Sequence, residues 1–172
     1  MIKKLLILLI SSLIVSQGYS QVIKLNKKRP AFDLQIYVDD NRLYKDQIGE
    51  TDYIFNDSII LVFPGEKLFI EADVVNDRLT HLQLVDSIKD KSKTLIIDFQ
   101  QKTKGKVHEM MILTIENPFD KQLHYKAMVN LLMNKKWGST SVYPVRPKLK
   151  SIEIWADLIT SLSLTGFELK EK

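Results

Sequence analysis

The sequence contains no cysteine. Structural disulfides, thiolate metal sites and Cys–His catalysis are therefore excluded. Lipid attachment to a cysteine directly after a leader is excluded as well. Histidine is scarce, with three residues, His81, His108 and His124. None of the spacings His-x-His, His-x3-His or His-Glu-x-x-His occurs, whereas a transition-metal site needs about three or four well-placed N, O or S ligands. Glycine is sparse too. There is no Gly-rich phosphate loop and no Gly-x-Ser-x-Gly elbow, and Trp137-Gly138-Ser139-Thr140-Ser141 has a single glycine. No cofactor and no metal is implied, and no catalytic constellation can be named. The chain does not read as an enzyme, although a site dispersed along the sequence leaves no motif.

Only one long apolar run is present, and it lies at the N-terminus. Met1-Ile2-Lys3-Lys4 is basic, Leu5 to Val15 is apolar apart from Ser11 and Ser12, and Gly18-Tyr19-Ser20 supplies small residues at a cleavage site. These are the three regions of a secretory signal peptide. The run of 11 residues is short of the ~20 that a membrane-spanning helix needs. The expected arrangement is a signal peptide over 1–20, cleaved after Ser20, and a single domain over 21–172. The product would be exported to the periplasm or beyond, without a lipid or integral membrane anchor. Cleavage removes Lys3 and Lys4, so 23 basic residues face 21 acidic ones and the formal charge falls from +4 to +2. That mixed surface is not the footprint of a nucleic-acid binder. The remaining 152 residues are enough for one core that buries roughly 70% of the unfolded surface.

Beyond the leader, apolar residues alternate with polar ones. Ala31 to Val38 puts Phe32, Leu34, Ile36 and Val38 on one face, and Asp39 to Arg42 is a turn. Ser58 to Phe63 is stopped by Pro64-Gly65. Lys67 to Val75 and Thr94 to Gln101 alternate again, and Ser151 to Trp155 and Ser161 to Leu169 supply the last strands, with Gly166 at a bulge position. Residues 21–30 read as a partly mobile lead-in. Leu79 to Ile88 fits a short helix or a strand, and Ala156 to Thr160 fits one helical turn. His108 to Leu132 reads as two long strands around Asn117-Pro118-Phe119-Asp120-Lys121, an antiparallel hairpin that would bring His108 near His124. Many short strands with polar turns predict an all-β fold, an antiparallel β-sandwich with at most one or two short helices. A closed β-barrel is the alternative.

The segment Thr114-Ile-Glu-Asn-Pro-Phe-Asp-Lys-Gln-Leu-His-Tyr-Lys-Ala-Met-Val129 resembles a strand pair of immunoglobulin-like bacterial envelope domains. In those, Asn-Pro separates an apolar-x-apolar stretch from Leu-x-Tyr-x-Ala-x-Val. The match spans 16 of 172 residues and lacks the paired cysteines of antibody domains. The leader, ending Tyr-Ser before Gln21, is similar to those of Bacteroidetes exported proteins. The resemblance implies an immunoglobulin-like fold and an exported compartment, not an activity.

Among carboxylates, Asp39-Asp40, Asp52 with Asp57, and Glu71 with Asp73 could be paired for acid–base work, but each also suits a solvated face. Asp39-Asp40-Asn41 lacks the later Glu of a calcium loop. Lys102 to Lys106 is a basic turn. The aromatics of the C-terminal third are the binding candidates: Trp137, Tyr143 and Trp155. Exposed aromatics stack on sugars or anchor peptides. Trp155, in Ile-Glu-Ile-Trp, suits the core better, while Trp137 is balanced between core and surface. The expected function is a non-enzymatic binding or interaction module of the cell envelope, with an envelope protein or a glycan as partner. A carbohydrate-binding or glycan-processing module is the alternative.

Overall fold

The computed structural model describes residues 27–171. The expected leader, its cleavage site and residues 21–26 lie outside that range. Fourteen strands and no helix occur among the described residues. They are β1 (Lys28–Arg29), β2 (Phe32–Asp39), β3 (Arg42–Ile48), β4 (Thr51–Asp52), β5 (Ile54–Phe55), β6 (Ile59–Val62), β7 (Glu66–Val75), β8 (Arg78–Val85), β9 (Thr94–Lys104), β10 (Val107–Glu116), β11 (Gln122–Leu131), β12 (Lys136–Thr140), β13 (Lys150–Trp155) and β14 (Ile159–Lys170).

All pairings are antiparallel. One layer runs β12-β11-β14-β6-β5 and the other β8-β7-β9-β10-β13. They touch through one ladder pair, Glu168 of β14 with Arg78 of β8. At the opposite side β12 and β13 are both edges, so the sheets do not close into a barrel. The result is a β-sandwich. Leu68 and Ile70 of β7, Leu95, Ile97 and Phe99 of β9, and Leu113 of β10 are buried between the layers with Leu123 of β11 and Leu162 and Leu164 of β14. Alternation places one face of every long strand there.

Three expectations are corrected. The first is the hairpin over His108 to Leu132, which does not exist. β10 pairs with β9 and β13, while β11 pairs with β12 and β14. The intervening turn carries the chain from one layer to the other, so no register sets His108 opposite His124. The reason is Asn117, which is 3% exposed. Its Nδ2 donates to the carbonyls of Lys121, Val145 and Arg146 at 2.8, 3.0 and 3.2 Å, and its Oδ1 accepts from the Phe119 N–H at 2.9 Å. A tight hairpin would leave that amide facing water. Here it clamps a corner.

The second correction concerns Ala156 to Thr160, read as a helical turn; Leu79 to Ile88, open between a helix and a strand, is strand as far as Val85. Leu79 and Leu82 are both buried, three residues apart, in strand β8. The ladder slips between Glu71–Gln83 and Asp73–Thr80, and His81 takes a φ of 49°. A bulge thus reproduces a helical spacing within a strand. Ala156 to Thr160 forms no helical turn, and Ile159 already begins β14.

The third concerns the described part of the lead-in, residues 27–30. Far from being loose, Arg29 is 1% exposed, and β1 pairs with β4. The Arg29 guanidinium donates to Glu66 Oε1 at 2.7 Å and Oε2 at 3.1 Å, and to the carbonyls of Leu61 and Asp52. It also lies 4.1 Å from the Tyr53 ring centroid and 4.8 Å from that of Phe63.

The Gly166 bulge is present. Its φ is 64°, and the β11–β14 ladder slips between His124–Glu168 and Lys126–Thr165. Leu164 and Phe167, three apart, can then both face inward. An added Cβ would meet nothing closer than Lys126 at 3.7 Å, so the difficulty for any other residue is conformational, not steric. Gly166→Ala is expected to cost about 1–2 kcal/mol, read as a lower urea midpoint with an unchanged slope. An unchanged midpoint would refute the assignment.

Candidate functional site

The strand pair β2–β3 stands apart from the two layers and forms a second, smaller core of Leu34, Ile36 and Phe63, with Tyr44, Ile48 and Leu61 packed on it. Leu61 lies between Ile60 and Val62, which point into the main core. Leu61 therefore points outward, and the hairpin is docked on the outer face of the β6–β14–β11–β12 layer. Gln101 fastens its far edge: Oε1 accepts from the Tyr37 N–H at 3.0 Å and Nε2 donates to the Tyr37 carbonyl at 2.7 Å. Gln101 Nε2 also meets His108 Nδ1 at 3.0 Å, and His108 Nε2 meets the Ala156 carbonyl at 3.1 Å. Because that carbonyl can only accept, the imidazole carries its proton on Nε2.

Between the hairpin and the sheet lies a groove of about 300 Å³. On the hairpin side, Tyr44 and Asp46 sit opposite Ile36 and Leu34 in the β2–β3 ladder and share their face. Tyr44 Oη donates to Asp46 Oδ2 at 2.9 Å. Burial first, and this hydrogen bond second, push the Tyr44 phenol above its ordinary pKa. On the sheet side are Asn130, Lys135, Trp137, Thr160 and Ser161. Gly138 and Thr140 of β12 pair with buried Val129 and Ala127, so their neighbour Trp137 must face outward. Trp137 is 44% exposed. Lys135 is held at the β11–β12 turn with a φ of 51°, its N–H bonded to the Leu131 carbonyl. Asn130 is the groove's least satisfied group: its Oδ1 is buried and has no hydrogen-bond partner.

Three larger depressions, of about 510, 400 and 730 Å³, are more open to solvent. Two of the lysines that line them, Lys121 and Lys148, are already engaged. Lys148 bonds the Pro118 carbonyl and Asp120, and Lys121 lies between Asp77 and Glu171. The groove, by contrast, combines an exposed tryptophan with an amide oxygen that has no hydrogen-bond partner.

The three aromatics singled out from sequence do not form one site. Trp155 faces inward, half-buried against the core, and its Nε1 donates to Thr140 Oγ1 at 3.1 Å across the open seam between β12 and β13. Tyr143 is 79% exposed on the seam loop, where its N–H donates to Glu153 Oε1 at 2.7 Å. Trp137 alone reaches the groove. The histidines are separate as well: His81 lies 3.3 Å from Asp73, and His124 bonds Gln122. No group of three or more metal-ligating residues occurs among the described residues. Of the carboxylates, Asp39 is taken up by Arg42 and the Asn41 N–H, which hold its pKa below the usual value.

Sequence reasoning missed Tyr44, Asp46, Asn130 and Lys135. Asn130 was visible as an outward polar position between Val129 and Leu131, but nothing local announces that a hairpin some ninety residues earlier covers it. No helix among the described residues is long and apolar enough to cross a membrane. Comparison with protein-family models, with curated proteins and with solved structures finds no match.

Proposed function

We propose that the protein is an exported, non-enzymatic binding module of the cell envelope and that the groove beneath the β2–β3 hairpin holds its ligand. Export rests on the signal-peptide pattern of residues 1–20. The binding role rests on one observation: Trp137 is exposed beside an Asn130 oxygen that the fold leaves without a partner. Exposed aromatics of this kind are anchors, and a buried polar group without a partner is costly until something satisfies it. Binding is favoured over glycan processing because hydrolysis of a glycoside employs two carboxyl groups about 5–9.5 Å apart. The groove is lined by one carboxylate, Asp46.

The test is retention on an isolated envelope fraction. Wild-type protein is expected to be retained, and Trp137→Ala to be retained roughly tenfold less or worse, with an unchanged melting temperature because the indole supports no buried contact of the core. Equal retention of the two proteins would sink the assignment of the groove.

A further inference from the structure

Resting on that reading of the groove, we infer that its ligand is a neutral glycan, with a sugar ring stacked on Trp137 and its hydroxyls bonded by the Asn130 amide and the Asp46 carboxylate. Four features point to this chemistry.

First, the indole of Trp137 offers a flat apolar surface on one wall. A pyranose ring presents a matching face of C–H groups, and aromatic side chains combine such apolar area with a polar rim. Second, the charged groups lining the groove are Asp46 and Lys135, one of each sign. They cancel, so the groove offers no net attraction to an anion or a cation. Third, the polar groups are mixed. Asp46 only accepts, Lys135 only donates, and an amide does both. A hydroxyl also donates and accepts, so a polyhydroxylated ligand can satisfy all three at once. Rotation of the Asn130 amide about its broad terminal torsion would turn Oδ1 toward such a hydroxyl. Fourth, Asn130 at the centre of the lining has no free main-chain edge. Asn130 is paired with Trp137 on one side and Ser161 on the other. A peptide captured by strand addition needs unpaired N–H and C=O groups; these lie along the outer edges of β12 and β3, whereas Asn130 presents a side chain. The volume of about 300 Å³ is at the lower end of the ~300–1,000 Å³ range of small-molecule sites, which suits one or two sugar rings of a longer chain.

The protein has two tryptophans, so Trp155→Phe leaves Trp137 as the sole tryptophan reporter, excited selectively over the tyrosines. That variant is titrated with neutral glucose, mannose and galactose tetrasaccharides, with a uronic acid tetrasaccharide, and with a library of extended decapeptides. Affinities of further variants are measured by calorimetry. A neutral tetrasaccharide is expected to shift Trp137 emission. Trp137→Ala and Asn130→Ala are expected to weaken it roughly thirtyfold, while Trp137→Phe keeps most of the affinity. Asn130→Ala removes no hydrogen bond of its side chain, so the variant folds.

Tighter binding of the uronic acid oligosaccharide would overturn the neutral class. Binding of decapeptides that Trp137→Ala abolishes, with no response to any sugar, would overturn the glycan and leave the groove as the binding surface. Sugar binding insensitive to both substitutions would overturn the groove itself. No response to any probe would overturn the glycan inference, and retention on the envelope fraction would then judge the groove separately.

Discussion

Arg29→Ala is expected to destabilise the fold by about 3–5 kcal/mol, the usual result of removing one partner from a buried ion pair. For a domain of this size that corresponds to a melting temperature lower by about 6–20 °C. The loss has three sources. Glu66, whose side chain also accepts the Phe63 N–H at 2.8 Å, would keep a largely buried charge with no counter-ion. The carbonyls of Leu61 and Asp52 would lose their donor. Tyr53 and Phe63 would lose the cation between their rings. The double variant Arg29→Met with Glu66→Gln removes both charges and keeps an acceptor for Phe63, so it should be more stable than Arg29→Ala alone. Urea denaturation of wild type, Arg29→Met, Glu66→Gln and the double variant measures the coupling. A single variant within about 1 kcal/mol of wild type would show that the pair does not anchor the N-terminal strand.

Asn117→Ala is expected to cost about 3–4 kcal/mol, since it leaves buried carbonyls and the Phe119 N–H without their partner at roughly 1–3 kcal/mol each when none is rescued by water. Val145 O is the least affected, because it also accepts the Leu123 N–H. The isosteric change Asn117→Asp is more diagnostic. It replaces a donor to three carbonyls with a carboxylate oxygen. The folded state then favours the protonated acid, so the pKa of the new residue rises above its unfolded value of about 3.9. A raised folded pKa means stability that is present below the unfolded pKa and lost as pH rises through the folded one. The stability gap between wild type and Asn117→Asp should therefore widen as pH rises from about 4 toward neutrality. A gap independent of pH would show that the corner does not depend on this donor.

Strand identity was readable from sequence because alternation is local: Leu68-Ile70-Ala72 and Leu95-Ile97-Phe99 point inward as their spacing requires. Sheet membership was not. Asn117-Pro118-Phe119-Asp120-Lys121 has the composition of a hairpin turn, yet the partners of the Asn117 amide include Val145 and Arg146, nearly thirty residues away. Bulges hid a second layer of information. Leu79 with Leu82, and Leu164 with Phe167, break the period of two because His81 and Gly166 each absorb one residue. At the site, Trp137 was legible as an aromatic beside a turn. Its companions were not, since Tyr44 and Asp46 arrive through docking of a hairpin. Arg29 read as one of several cations in Lys-Lys-Arg-Pro, and only the approach of Glu66, thirty-seven residues later, makes it the hub of the N-terminal region.

The position of β14 in the sheet order has a consequence for how the chain reaches this structure. Although it comes last of the fourteen strands in sequence, β14 lies between β11 and β6 and also meets β8. Both layers therefore lack their shared seam until residues near 160–170 are available. Were the chain exported as proposed, threading through a membrane from the N-terminus would leave it short of a complete core for nearly the whole passage. The long-range closure that makes such topologies slow to fold would keep it in a form that a narrow channel can accept, and the fold would lock only after the final strand had crossed.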